Sequence, residues 1–143
     1  NNLSRDVLPP RFSKFSLKDT LVARKAIELV AIELACERIT RKQLSQLKSL
    51  FDQMDETIDD LPEFIKHDTR FHETLVQAGG NAALVTAFEA IWEYHQYSQI
   101  FSSSSDACEE TAQTYHKKIV QALEKKNKAR AIKSLKDHFD HML

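Results

Sequence analysis

The sequence has little of what sheets and tight turns require, with only two glycines and three prolines in 143 residues. Two of the prolines are the neighbours Pro9 and Pro10, so almost none are left to punctuate the rest of the chain. A multi-stranded sheet needs repeated turns built on such residues, and their scarcity points instead to helices joined by short loops. Cysteine is equally sparse. Cys36 and Cys108 form no CxxC pair, and no charged leader followed by a long apolar run marks secretion or membrane insertion. The expectation is a cytoplasmic protein with reduced thiols and no membrane contact. An excess of basic charge is missing too: Lys plus Arg number 20 against 21 Asp plus Glu, so no electrostatic footprint for nucleic acid is present. DNA binding by this chain alone is therefore not expected. The first residue is Asn rather than Met, which fits a piece of a longer protein.

What is present is an amphipathic pattern. Hydrophobic residues make up 42% and charged residues 29%, the balance of surface helices around one shared core, and the length suits a single domain. Residues 1–16, with Pro9-Pro10, read as an extended arm or linker remnant, and 17–143 as one all-α domain of about six helices. Leu21, Ala26, Ile27, Val30, Ala31, Leu34 and Ala35 recur at helical spacing in the first. Thr40 to Gln43 forms a capping box at the start of the second. Asp60-Leu61-Pro62-Glu63 opens a third, which runs to Gly79-Gly80. Asn81 caps a fourth, expected to continue to Ile100 or Phe101. The serines at 102–105 separate it from a fifth, from about Asp106 to Leu123, and a polar turn at Lys125 to Asn127 leads to the sixth.

Several polar residues fall on faces that should be apolar. The third helix should bury Phe64, Ile65, Phe71, Leu75 and Val76, and Asp68 lies inside that stripe. An unpaired charge taken from water costs several kcal/mol in effect, so a carboxylate there is normally paired, protonated or metal-bound. His72 follows four residues later, on the same face. His116 shares the apolar face of Tyr115, Ile119 and Leu123 in the fifth helix, and His138 that of Leu135 and Phe139 in the sixth. His141 sits at the margin of that last stripe, which makes it the alternative to His138. Any one of these histidines read alone is an ordinary core or half-exposed residue. Three helices presenting histidine inward, one with an aspartate a turn away, suggest a site for Zn, Ni, Mn or Fe(II) with positions left open. His67 should point to another side of its helix. His95 shares a face with Phe88 and Ile91 and is either pocket-lining or a hydrogen-bonded core histidine.

The pattern resembles the FCD domain, the effector-binding C-terminal domain of FadR-subfamily GntR transcription regulators, over roughly Leu17 to Leu143. The likeness rests on Arg24, Glu28, Ala35 and Arg38 in R-x3-E-x6-A-x2-R, and on Asp68-Thr69-Arg70-Phe71-His72-x2-Leu75-x2-Ala78-Gly79-Gly80-Asn81-x2-Leu84. His116-x2-Ile119-x2-Ala122-Leu123 and Ala131-x3-Leu135-x2-His138-Phe139 complete it. Metal-binding members of that family hold a divalent cation with an Asp and three His, which implies Asp68, His72, His116 and His138 here. The resemblance also implies an effector-facing arginine at Arg24, whose planar fork suits a carboxylate. His95, from its place on the face of Phe88 and Ile91, is the second effector-facing candidate. Many members carry Glu two residues before that arginine, where this chain has Val22. About six helices make the chain more similar to the shorter, VanR-like group.

The function so implied is not enzymatic. It is sensing of a small organic acid by a domain that is usually homodimeric and that acts on DNA only through an N-terminal winged helix-turn-helix absent from this chain. Two alternatives are a metal-dependent, hydrolase-like helical enzyme and a plain helical interaction domain. His72-Glu73 lacks the second histidine of an HExxH motif, which weakens the enzyme alternative.

Overall fold

A computed structural model of the chain describes residues 16–91 and 108–143, and every regular element among them is helical. The six helices are α1 (Leu17–Arg38), α2 (Arg41–Glu56), α3 (Leu61–Ala78), α4 (Ala82–Ala90), α5 (Cys108–Glu124) and α6 (Lys128–Met142). The expected arm lies outside the described residues up to its last position. That position, Ser16, forms a capping box with Asp19 and so starts α1.

The helix starts follow local chemistry. Thr40 and Gln43 make the second capping box, each side chain bonding the other's backbone amide at 3.1 and 3.0 Å. Asp60, Asn81 and Asn127 cap α3, α4 and α6, and Pro62 occupies the first turn of α3, where its missing N–H is not needed. α4 ends at Ala90, where the Ile91 amide bonds back to Phe88 O at 3.2 Å, an i to i−3 closure that tightens the last turn. The continuation expected as far as Ile100 or Phe101 lies outside the described residues. His95 and the serine run fall in 92–107, outside the described residues.

α2 and α5 run antiparallel, Lys48 meeting Glu124 and Asp55 meeting Gln113, while α1 and α3 advance side by side. Glu28 meets His72, and further on Arg38 donates to Gly79 O at 3.1 Å. The α5–α6 hairpin closes the bundle: Lys48 of α2 pairs with Glu124 at 2.5 Å, and Lys25 of α1 with Asp140 at 2.6 Å. Such half-exposed pairs fix orientation more than they stabilise. The main core is Ile32, Leu47, Met54, Phe71, Leu75, Ile119, Leu123, Leu135 and Phe139, all buried.

On α1 the apolar spacing matches the buried face only in part. Leu21, Ala31 and Ala35 are buried and Ala26 and Val30 exposed, while Arg24, Glu28 and Ile32 also line the interior. That face turns a charged pair toward the histidine-bearing helices.

Gly79 sets how closely α1 and α3 approach. A β-carbon there would lie 2.9 Å from Ala31 O, a backbone atom that cannot swing aside. Gly79→Ala is therefore expected to force the two helices apart and to lower stability by about 1–3 kcal/mol. Urea titration checks this, and an unchanged midpoint would show that the contact relaxes freely. The next residue, Gly80, has φ +66°, the left-handed conformation that a side chain resists.

Candidate metal centre and its surroundings

Asp68 and His72 lie one turn apart on the inner face of α3, and α5 and α6 bring His116 and His138 against them. His72, His116 and His138 are buried, and one ring nitrogen from each lies within 4.8 Å of the others. Asp68 Oδ1 is 3.3 Å from His72 Nε2 and 3.1 Å from His116 Nε2. The rings of His72 and His138 stack at 5.4 Å, and the His116 ring meets His138 edge-on at 4.9 Å. Phe71, 4.7 Å from the His116 ring, packs against the cluster.

The other sequence candidates lie apart from it. His141 is exposed, 6.0 Å from the Tyr115 ring, whereas His138 points inward. His67 is partly buried beside Glu63 at 3.9 Å. Arg24 is buried at 1% exposure, its Nε and Nη2 lying 3.1 and 3.0 Å from Glu28 Oε2 and its guanidinium 5.0 Å from the Phe139 ring.

Two residues with no role assigned from the sequence complete the surroundings. The carboxylate of Glu28 lies against His72 Nδ1. Gln113 Oε1 lies 2.9 Å from His116 Nδ1. Glu28 stood inside the R-x3-E motif, four residues from Arg24 on one helical face, and that offset was the available signal. Gln113 carried no comparable signal, because a glutamine one turn before a histidine is ordinary on any helix.

Electrostatics set the groups apart. Burial alone would raise the Asp68 carboxyl, but the His72 and His116 imidazoles beside it hold it well below the usual carboxylate range. Burial works against a charged His72, yet Glu28 and Asp68 outweigh it and lift that imidazole to about 9. Burial lowers His116, and burial with the neighbouring His116 and His72 holds His138 well below the ordinary imidazole value.

A pH dependence follows for the metal-stripped domain. The raised His72 value stabilises the fold below the ordinary imidazole value of 6.5, and that contribution is lost as pH rises through about 9. The lowered His116 and His138 values act oppositely, their contribution being present above 6.5 and lost as pH falls. Melting temperatures measured in EDTA are expected to peak near pH 6.5 and decline on both sides. A steady rise through pH 9 would contradict the assignment of His72.

The donor set suits a divalent cation. His72 Nε2 and His116 Nε2 are buried and make no hydrogen bond of acceptable geometry, although both face Asp68 Oδ1. Separations of 3.1 and 3.3 Å are what adjacent ligands show when each is about 2.0–2.2 Å from a shared ion. Three imidazoles and one carboxylate leave positions open on a five- or six-coordinate metal.

The FCD domain pattern matches residues 19–141 of this chain. The HTH-type transcriptional regulator YdhC of Bacillus subtilis (strain 168) is 26% identical over 121 residues, which are 82% of this chain and 54% of that protein. The chain spans about half the length of the curated relatives it matches, 54% and 48%. Among solved structures, E. coli McbR/YncC superposes with a TM-score of 0.76 at 19% identity, over 87% of this chain and 64% of that one. The metal-free FCD domain of TM0439 superposes with a TM-score of 0.72 at 19% identity, over 94% and 91%. The family match and the curated relatives, which are transcription regulators rather than enzymes, set aside the hydrolase alternative. With the helical bundle and a pattern match across nearly its whole length, the chain belongs to the FCD domain family.

Proposed function

We propose that this chain is the effector-sensing part of a GntR-family transcription regulator, in which Asp68, His72, His116 and His138 hold a divalent cation. The carrying observation is the convergence of Asp68 Oδ1 with the Nε2 atoms of His72 and His116, and of His138 beside them, in a buried space. When bound, the cation supplies a Lewis-acidic position to which the carboxylate of a small organic acid can attach. The residues themselves orient the site: α3 sets Asp68 and His72 one turn apart, and α5 and α6 close over them.

Arg24 and His95 are the effector-facing candidates. Arg24 meets an incoming carboxylate only by sharing its pairing with Glu28, so effector binding and the α1 ion pair are coupled. In the whole protein, a homodimer in the cytoplasm, the change in the bundle passes to DNA through an upstream domain outside this chain.

The test is elemental analysis of the domain after dialysis against Zn, Ni or Mn, then calorimetry with small mono- and dicarboxylates on the loaded and EDTA-treated forms. One bound cation and carboxylate binding that needs it are expected. Failure to retain any cation would sink the reading.

A further inference from the structure

The outer contacts of His72 and His116, two of the three buried histidines, decide which nitrogen each presents inward. Gln113 Nε2 donates to Phe51 O at 3.1 Å and to Asp55 Oδ1 at 2.7 Å, both on α2. Both of those partners are acceptors. The amide of Gln113 is thereby held in one orientation, because the reverse would set its oxygen against a carbonyl and a carboxylate. Its Oε1 then faces His116 Nδ1 at 2.9 Å and can only accept. His116 Nδ1 must carry the proton, and the Nε2 lone pair is left facing Asp68.

His72 is oriented by a second chain of the same logic. Glu28 Oε2 is engaged by Arg24 at 3.0 and 3.1 Å, and the other oxygen of the carboxylate lies on His72 Nδ1. A carboxylate bound to a guanidinium has acceptor lone pairs only, so Nδ1 donates. In neutral His72 the Nε2 lone pair likewise points inward.

We infer that Glu28 and Gln113 are positioning residues of the metal centre, fixing the ring nitrogens of His72 and His116 so that both present Nε2 to the cation. The inference rests on the metal-site reading above. It extends that reading to α1 and α2, neither of which carries a ligand: Arg24–Glu28–His72 ties α1 to the centre, and Phe51/Asp55–Gln113–His116 ties α2. Outer partners of metal-bound histidines hold the ring and raise its basicity, and their loss typically weakens metal binding about 10–100-fold.

The experiment uses wild type, Gln113→Met and Glu28→Gln, each shown to be folded by circular dichroism. Gln113→Met keeps the volume and removes the acceptor. Cobalt(II) affinity is measured by competition with a chromophoric chelator, and histidine tautomers are read from long-range ¹⁵N–¹H spectra of the EDTA-treated domain. Wild type is expected to bind one cobalt and to hold His116 in the Nδ1–H form. Both variants are expected to bind cobalt about 10–100-fold more weakly with an altered visible spectrum, and Gln113→Met to show mixed His116 tautomers. Cobalt affinity within twofold of wild type in both variants overturns the outer-shell assignment alone. No cobalt uptake by wild type, with His116 still in the Nδ1–H form, overturns the metal site and this inference with it.

Discussion

Glu28→Ala is expected to remove about 3–5 kcal/mol of stability, the loss that follows when one member of a buried ion pair is deleted. Arg24 and Glu28 are 1% and 0% exposed, so deleting the carboxylate leaves the guanidinium buried without its partner. The Phe139 ring, 5.0 Å from the guanidinium, offers a cation–π contact that offsets about 1–2 kcal/mol at most. Against a typical total of about 5–15 kcal/mol, the loss leaves a marginal domain. A urea titration with an unchanged slope and a much lower midpoint is the expected record. Arg24→Met combined with Glu28→Leu should recover most of the stability, since well-packed apolar replacements of buried ion pairs are often neutral or better. That double variant still lacks the acceptor for His72 Nδ1, so its cobalt affinity should stay low while its midpoint recovers. A loss below about 1 kcal/mol for Glu28→Ala would mean that Arg24 finds another partner.

The same ion pair shows where sequence reading succeeds and where it stops. Helix starts were legible because they are local: Thr40 and Gln43 satisfy each other within four residues, and Asp60, Asn81 and Asn127 need only their own first turns. Asp68, His72, His116 and His138 were legible as polar residues on otherwise apolar stripes, and the fold gathers all four. On α1 the apolar spacing marks the helix but only part of its buried face, which takes in Leu21, Ala31 and Ala35. Val30 is 50% exposed and Ala26 is also exposed, while Arg24 and Glu28 are inside. Apolar residues occur around most of that helix, so hydrophobicity alone does not choose a side. The choice is made by a charged pair whose burial becomes tolerable only when α3 brings His72 to it. Gln113 was invisible for a related reason. Its importance lies in contacts with Phe51 and Asp55, some sixty residues earlier, and nothing in its own helix announces them. The i to i−3 closure at Ile91, which ends α4 at Ala90, is a local detail that periodicity does not encode.

Saturating zinc is expected to raise the melting temperature of the wild-type domain by about 10 °C, and His116→Ala to abolish that increment. A ligand at a hundred times its dissociation constant stabilises the state that binds it by about 2.7 kcal/mol. In a domain of 143 residues each kcal/mol moves the midpoint by about 3–5 °C. His116 is fully buried, so His116→Ala also leaves a cavity and lowers the melting temperature by itself. The informative quantity is therefore the difference between zinc and EDTA for each variant, not the absolute value. Asp68→Asn keeps the shape but removes the charge, and should shrink the increment without the cavity. His141→Ala changes an exposed residue outside the cluster and should leave the increment at its wild-type size. Scanning calorimetry on the four proteins, with and without chelator, decides the matter. A wild-type increment that survives in His116→Ala would move the zinc site elsewhere in the chain, whereas its disappearance in His141→Ala would return that residue to the ligand set in place of His138.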